Sequence, residues 1–169
     1  DVQRHMEQLA LPVPLNLAVR AAPSSMHSFH ALRPFLTSDT CCLTTVDTVF
    51  REEPFAAYID AFERSPLLDG MMAVTAYVDD SAGMIRGFLG REEGQASGCQ
   101  YVSGGMYCLR RAALDVLDQA MEQGVSRMRN YQRMLVSEGL RLRAYAFDKI
   151  LDIDHAADIA KAEAFLSTP

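Results

Sequence analysis

The feature that most constrains this chain is the alternation of short, β-branched apolar runs with segments whose apolar residues recur at helical spacing. Thr40–Phe50, Gly70–Val78, Gln100–Leu109 and Leu140–Phe147 read as strands. Between them, Phe55, Tyr58, Ile59 and Phe62 form one helical stripe, and Leu114, Leu117, Ala120 and Met121 another. Such alternation predicts an α/β fold built on a predominantly parallel, helix-covered sheet. At 169 residues, with no internal repeat, one domain over residues 1–169 suffices.

Two acidic positions stand out against this frame. The run Thr40–Phe50 begins as a strand expected to be buried on both faces and delivers Asp47 where its apolar stretch stops. Ligands of open α/β sheets sit beyond the carboxyl ends of the strands, so an acid there can hold a metal ion or a sugar hydroxyl. The plainer alternative is that Asp47 caps the turn into the next helix. The second position lies between the last strand and the last helix, where Asp152 and Asp154 are two residues apart and point the same way along extended backbone. Neighbouring carboxylates are costly unless solvated, protonated or bridged by a cation, and Mg2+ suits such hard oxygen donors. Lys149 adds a point charge of the kind that binds phosphate, and it is one of two lysines among sixteen basic residues. Here too there is a plainer alternative: Asp154 caps the helix beginning near Ala156, and Asp152 is solvated.

Elsewhere the signals are local. Asp1–Leu9 reads as an amphipathic helix, Leu15–Ala21 as a short strand, and residues 84–89 as another. Pro23-Ser24-Ser25 opens a helix directly after a strand. Ser24, Ser25, Ser28 and His27 can there serve an anion at the helix N-terminus, or Ser can simply cap, with His27 on a solvated face. Gly104 and Gly105 adjoin inside a strand-like run, which marks either a bulge or the close approach of a ligand. Gly124 and Gly139 close two helices, and the last helix spans about Ala156–Leu166.

Composition bounds the function classes. A net charge of −6 leaves no basic footprint for nucleic acid or an anionic membrane. No apolar run approaches the roughly 20 residues that span a bilayer, and no signal-peptide pattern opens the chain. Cys41, Cys42, Cys99 and Cys108 lack metal-ligand spacing and read as reduced and packed, which points to the cytoplasm. The chain starts at Asp1, on a helix already under way, so an N-terminal portion is expected to precede it.

In order, Thr44-Thr45-Val46-Asp47-Thr48-Val49-Phe50, Ala73-Val74-Thr75, Ser103-Gly104-Gly105-Met106-Tyr107 and Lys149-Ile150-Leu151-Asp152-Ile153-Asp154-His155, with Asp158-Ile159 and Ala162-Glu163 behind them, resemble the sugar-phosphate nucleotidyltransferase superfamily. The likeness is to its bacterial NDP-sugar-synthase-like proteins, which Ser24–Ser28 and Arg127–Asn130 also resemble. It implies a Rossmann-like sheet with helices on both faces. It also implies Mg2+-dependent transfer of a nucleotidyl group from an NTP to a sugar phosphate or phospho-alcohol, releasing pyrophosphate. On the same resemblance Asp47 is the first metal aspartate, and Asp152 or Asp154 supplies the second metal carboxylate. Lys149 contacts phosphate, and Thr75, Gly104 and Gly105 lie on the acceptor side. Ser25, His27 and Ser28 are further substrate-contact candidates. The family's glycine-rich nucleotide loop, with its following Pro-Lys, is absent from these residues, so the chain as it stands is expected to be inactive and the complete protein active. A non-catalytic nucleotide- or sugar-binding module of the same fold, or a DxD glycosyltransferase, is the competing expectation.

Overall fold

A computed structural model describes residues 2–76, 83–89, 98 and 101–167. Four strands form the main sheet: β1 (Thr40–Thr44), β3 (Gly70–Ala76), β4 (Tyr101–Arg110) and β5 (Leu142–Phe147), in the order β1-β4-β3-β5. A separate two-stranded pair joins β2 (Thr48–Val49) to β6 (Leu151–Asp152). The helices are α1 (Val2–Gln8), α2 (Ser25–Ala31), α3 (Glu52–Glu63), α4 (Arg111–Glu122), α5 (Met128–Ser137) and α6 (Ala156–Ser167).

The α/β class holds, and the strand directions refine it. β1, β3 and β5 all run the same way, with β3 and β5 directly paired in parallel. β4 is reversed and inserted between β1 and β3, so two of the three pairings are antiparallel rather than parallel. Periodicity is the same read in either direction, which is why the sequence alone does not reveal the reversal.

Helices cover both faces. On one, Met26 and Phe29 of α2, Leu114 and Leu117 of α4 and Tyr131 and Leu135 of α5 pack on Met72, Tyr107, Leu109 and Leu142. On the other, Tyr58 and Phe62 of α3 pack with Met71, Ala73, Met106, Cys108 and Phe147. Consecutive residues of β3 and β4 therefore feed opposite cores, as strand alternation requires. Burying one such Leu or Met side chain fully contributes about 1.5–3 kcal/mol.

Tyr58 also enters the sheet. Its hydroxyl accepts from the Cys108 amide at 2.9 Å and donates to the Met71 carbonyl at 2.5 Å, bridging β4 to β3 where those two residues oppose one another.

Three expectations need correcting. The strand opening Thr40–Phe50 is not buried on both faces: β1 stands at one end of the described sheet and alternates exposed with half-buried residues, because only β4 flanks it. Leu15–Ala21 forms no strand; it finds no ladder partner, and Leu15, Leu17 and Val19 stay exposed. Residues 84–89 make one bridge, Met84 with Arg143, instead of a strand; the Ile85 amide donates to the Leu142 carbonyl at 2.8 Å along the edge of β5. α1 forms as expected but buries none of its residues. With the segment after it, α1 borders an open cavity of about 470 Å3 lined by Met6, Leu9, Leu11, Val13, Leu15 and Leu17. Cys99 falls outside the described residues, as do Tyr77, Val78 and Gln100 at the ends of two expected strands.

The strand directions give the sheet two unlike ends. At one end lie the carboxyl ends of β1, β3 and β5 and the amino-terminal half of β4. At the other, Asp69 accepts from the Arg141 amide at 2.8 Å, its carbonyl accepts from Arg110 N–H at 2.9 Å, and the Arg110 guanidinium donates to the Leu68 carbonyl at 2.7 Å.

Candidate active site at the carboxyl edge of the sheet

The chain leaves β1 at Thr44, turns through Thr45, Val46 and Asp47, and re-enters extended structure at Thr48. The turn is tied down twice by backbone. The Thr45 amide donates to the Gly105 carbonyl at 3.1 Å, and the Ile153 amide donates to the Asp47 carbonyl at 2.9 Å. The second bond extends the β2–β6 pair, in which Thr48 lies opposite Asp152. Asp47 and Asp152, 105 positions apart in the chain (152 − 47), thus reach the same small ladder.

Asp47 is half-buried and does not cap the following helix: α3 has Arg51 at its N-cap and no side-chain capping bond. Asp154 does not cap α6 either. That role falls to Asp158, whose carboxylate accepts from the His155 amide at 3.1 Å and pairs with Lys161 at 2.8 Å. These bonds hold the Asp158 carboxyl below the usual carboxylate value, the Lys161 contact first. Neither candidate acid is the cap that the plainer readings made of it, while Asp152 and Asp154 are both exposed, as the solvated alternative for Asp152 expects.

Their mutual electrostatics are adverse. The Asp152 carboxyl is pushed above its ordinary value, first by loss of solvent, then by the charges of Asp47 and Asp154, against a hydrogen bond from Thr48 that works the other way. Among the described ion pairs, none joins Asp47, Asp152 or Asp154 to a basic side chain. Among the described residues no three His, Cys, Asp or Glu side chains are placed to hold a metal ion by themselves. The resemblance asks for two carboxylates, Asp47 with either Asp152 or Asp154, and not for three. Asp47 lies near enough for its charge to act on the Asp152 carboxyl, ahead of that of Asp154; a cation such as Mg2+ commonly takes one or two carboxylates and completes its shell with substrate phosphates and water.

Sequence reasoning missed the two threonines whose hydroxyls lead to Asp152. Thr48 is one of only two buried polar residues among those described, the other being Gln132. Its hydroxyl donates to Asp152 Oδ1 at 3.4 Å and so accepts from the Thr45 hydroxyl at 2.5 Å. The available signal was Thr-Thr-Val-Asp-Thr itself, hydroxyls on both sides of an acid at the end of a strand.

The glycine pair resolves as a bulge. β3 and β4 keep register up to Met72 opposite Tyr107 and resume it at Val74 opposite Ser103, so Ala73 faces the stretch Gly104–Met106. The space a side chain would need is taken by the protein's own atoms. A Cβ at Gly104 would collide with Ile150 Cδ1; one at Gly105 would lie 2.5 Å from Thr48 Oγ1 and 2.6 Å from Thr45 Oγ1. Gly105 also has φ +72°, a region that L side chains seldom adopt.

The other candidates divide by place. Thr75, half-buried near the end of β3, lies at the same edge, paired with Val102 and Phe147. Lys149 follows β5 there too, its ammonium 5.2 Å from the centre of the Phe165 ring, which also carries the Arg51 guanidinium at 4.9 Å. Ser25, His27 and Ser28 belong to α2, which packs against α4 and α5. His27 shares a 2.9 Å hydrogen bond with the Ser24 hydroxyl, and Ser24, at the N-cap position, makes no side-chain capping bond.

With this geometry in place, likeness to solved structures is informative. No protein-family model matches the sequence, and no curated protein matches it. Solved structures do. A UDP-glucose pyrophosphorylase complexed with UDP-glucose matches with a TM-score of 0.64 at 11% identity, over 84% of this chain and 61% of its own. The inositol-1-phosphate CTP transferase from T. maritima matches with a TM-score of 0.59 at 13% identity, over 86% and 64%. HddC from Yersinia pseudotuberculosis, complexed with GMP-PN, matches with a TM-score of 0.64 at 14% identity, over 97% and 72%. The fold is therefore the Rossmann-like fold of the sugar-phosphate nucleotidyltransferases. At these identities the likeness is one of fold, and the chain spans less than two thirds of the first two of these proteins.

Proposed function

We propose that this chain carries the acceptor side and metal carboxylates of a nucleotidyltransferase that joins an NTP to a sugar-phosphate or phospho-alcohol acceptor. In that reaction an acceptor phosphate oxygen attacks the α-phosphorus, a new P–O bond forms, and pyrophosphate leaves. The observation that carries the reading is the meeting of Asp47 and Asp152 at the β2–β6 ladder, neither of them joined to a basic side chain among the described ion pairs, in a fold shared with a UDP-glucose pyrophosphorylase. Phosphoryl-type transfer asks for positioning and charge neutralisation rather than a covalent catalyst.

Asp47 and Asp152 are the residues that would hold Mg2+, and the cation would supply neutralisation of the phosphate charge. Thr48 fixes the Asp152 carboxylate, and the Thr45 hydroxyl fixes Thr48. Lys149 offers a cation at the same edge for an acceptor or product phosphate. Thr75 and the Gly104–Gly105 bulge shape the acceptor side.

A thermal-shift titration of the protein with Mg2+ against the four NTPs and a panel of NDP-sugars tests the reading. A ligand that binds only the folded state adds about 2.7 kcal/mol of apparent stability at one hundred times its Kd. The expected result is a selective, Mg2+-dependent shift that Asp47→Asn abolishes. Equal shifts in the wild type and Asp47→Asn, or a shift that ignores Mg2+, would remove the metal carboxylates from the account.

A further inference from the structure

We propose that Cys42 and Cys108 form a reversible cross-strand disulfide, a thiol-oxidation site that joins β1 to β4. The two residues are direct partners in the antiparallel ladder, and both are free thiols. The hydrogen bonds at the two ends of this ladder, Thr45 N–H to the Gly105 carbonyl and Arg111 N–H to the Asp39 carbonyl, identify the bonded pairs. Counting by twos between them places Cys41 and Leu43 in bonded pairs and Cys42 in a non-bonded one. In non-bonded pairs the Cα atoms approach to about 4.5 Å, within the range of about 4.4–6.8 Å that disulfides span.

Directly opposed residues share a face of the sheet. Cys108 lies in the core beneath α3, beside Tyr58 and Met71, while Cys42 is exposed at the end strand of the described sheet. Cys41 is turned the other way, against the core formed by α2, α4 and α5. The pair is thus an accessible thiol opposed to a sheltered one, with the neighbouring cysteine directed away from both.

The chemistry suits that asymmetry. A hydrogen bond with Cys108 draws the Cys42 thiol below its ordinary value, and the same bond, together with burial, pushes Cys108 up. Cys42, exposed and the more acidic of the two, is then the sulfur that meets an oxidant first. With glutathione disulfide, the Cys42 sulfur attacks one glutathione sulfur, forming a mixed disulfide and expelling one glutathione thiolate. Cys108 loses its proton and attacks the Cys42 sulfur, expelling the second glutathione. Two protein thiols and one glutathione disulfide become one protein disulfide and two molecules of glutathione.

The cross-link would fasten β1, which only β4 flanks in the described sheet, to β4, the strand that carries Gly105 and so receives the Thr45 amide just past the end of β1. It is independent of the transfer reaction.

The whole protein, equilibrated with graded ratios of glutathione disulfide to glutathione and quenched with N-ethylmaleimide, is mapped as non-reduced peptides by mass spectrometry. The expected product is a peptide pair joined through Cys42 and Cys108, with the loss of two hydrogens, reversed by dithiothreitol. Cys42→Ser, a change at an exposed position, should abolish it and leave Cys108 as an unmodified thiol. A persistent glutathione adduct on Cys42 with Cys108 still reduced, or a cross-link in which Cys41 or Cys99 replaces either partner, overturns the proposal.

Discussion

Thr48 and Asp152 face one another across the β2–β6 ladder, and the hydroxyl of the first donates to Oδ1 of the second at 3.4 Å. This bond lets a buried threonine hold a carboxylate that two neighbouring acids repel. Thr48→Val should cost about 1–2 kcal/mol in urea-induced unfolding, since it removes one hydrogen bond and leaves the Thr45 hydroxyl without its acceptor. Thr48→Ser should restore most of that loss; a serine variant as weak as the valine one would assign the cost to packing.

Asp47→Asn is expected to leave the fold unchanged within about 0.5 kcal/mol, because the residue is half-buried and its side chain anchors nothing. In the complete protein it should reduce nucleotidyl transfer by about 10²–10³-fold, the scale of losing one preorganised electrostatic contact. Paired urea melts and pyrophosphate-release assays check both halves.

Gly105→Ala and Gly124→Ala make an internal comparison. Both glycines have positive φ, at +72° and +68°, but only Gly105 has neighbours within 4 Å of the would-be Cβ. Gly124→Ala should cost about 1–2 kcal/mol, the backbone strain alone. Gly105→Ala should add about 1–3 kcal/mol for displacing the Thr45 and Thr48 hydroxyls. Equal midpoints in denaturant would show that the threonines move aside freely.

Tyr58→Phe removes the hydroxyl that links the Cys108 amide to the Met71 carbonyl. It is expected to destabilise the protein by about 1–3 kcal/mol, the cost of leaving buried polar groups unpaired. Faster hydrogen exchange at the Cys108 amide than in the wild type would locate the damage.

Burial pushes the Cys41 thiol from 9.0 to about 11. The folded state therefore keeps a proton that the unfolded state releases earlier as the pH rises. The stability linked to Cys41 is full below the unfolded value and declines as pH climbs through 9.0 toward about 11. Alkaline unfolding followed by circular dichroism should show a shallower decline over that window in Cys41→Ala than in the wild type.

The helices and the buried strand β3 were legible because each writes its period into adjacent residues: Tyr58 and Phe62 in α3, Leu114 and Leu117 in α4, Met71 to Val74 in β3. Asp47 was legible as an acid at the end of an apolar run. What periodicity cannot encode is partnership. Leu15–Ala21 has strand composition and no ladder to join, and β4 reads the same in either direction. The bond from Thr48 to Asp152 spans 104 positions, beyond any local pattern. Asp154 and Asp158 both lie close enough to the start of α6 to cap it, and only the backbone path assigns the task to Asp158.

The reversal of β4 has a practical reach. Because it turns its glycine-bearing half toward the carboxyl ends of its neighbours, the candidate chemistry collects at one end of the sheet, and the Asp69, Arg110 and Arg141 contacts fasten the other. Leu67, 70% exposed in the turn leading to Asp69, sits at that fastened end. A surface tether attached there would hold the molecule by a cross-braced corner and present the acidic edge outward, without touching any residue assigned to the site.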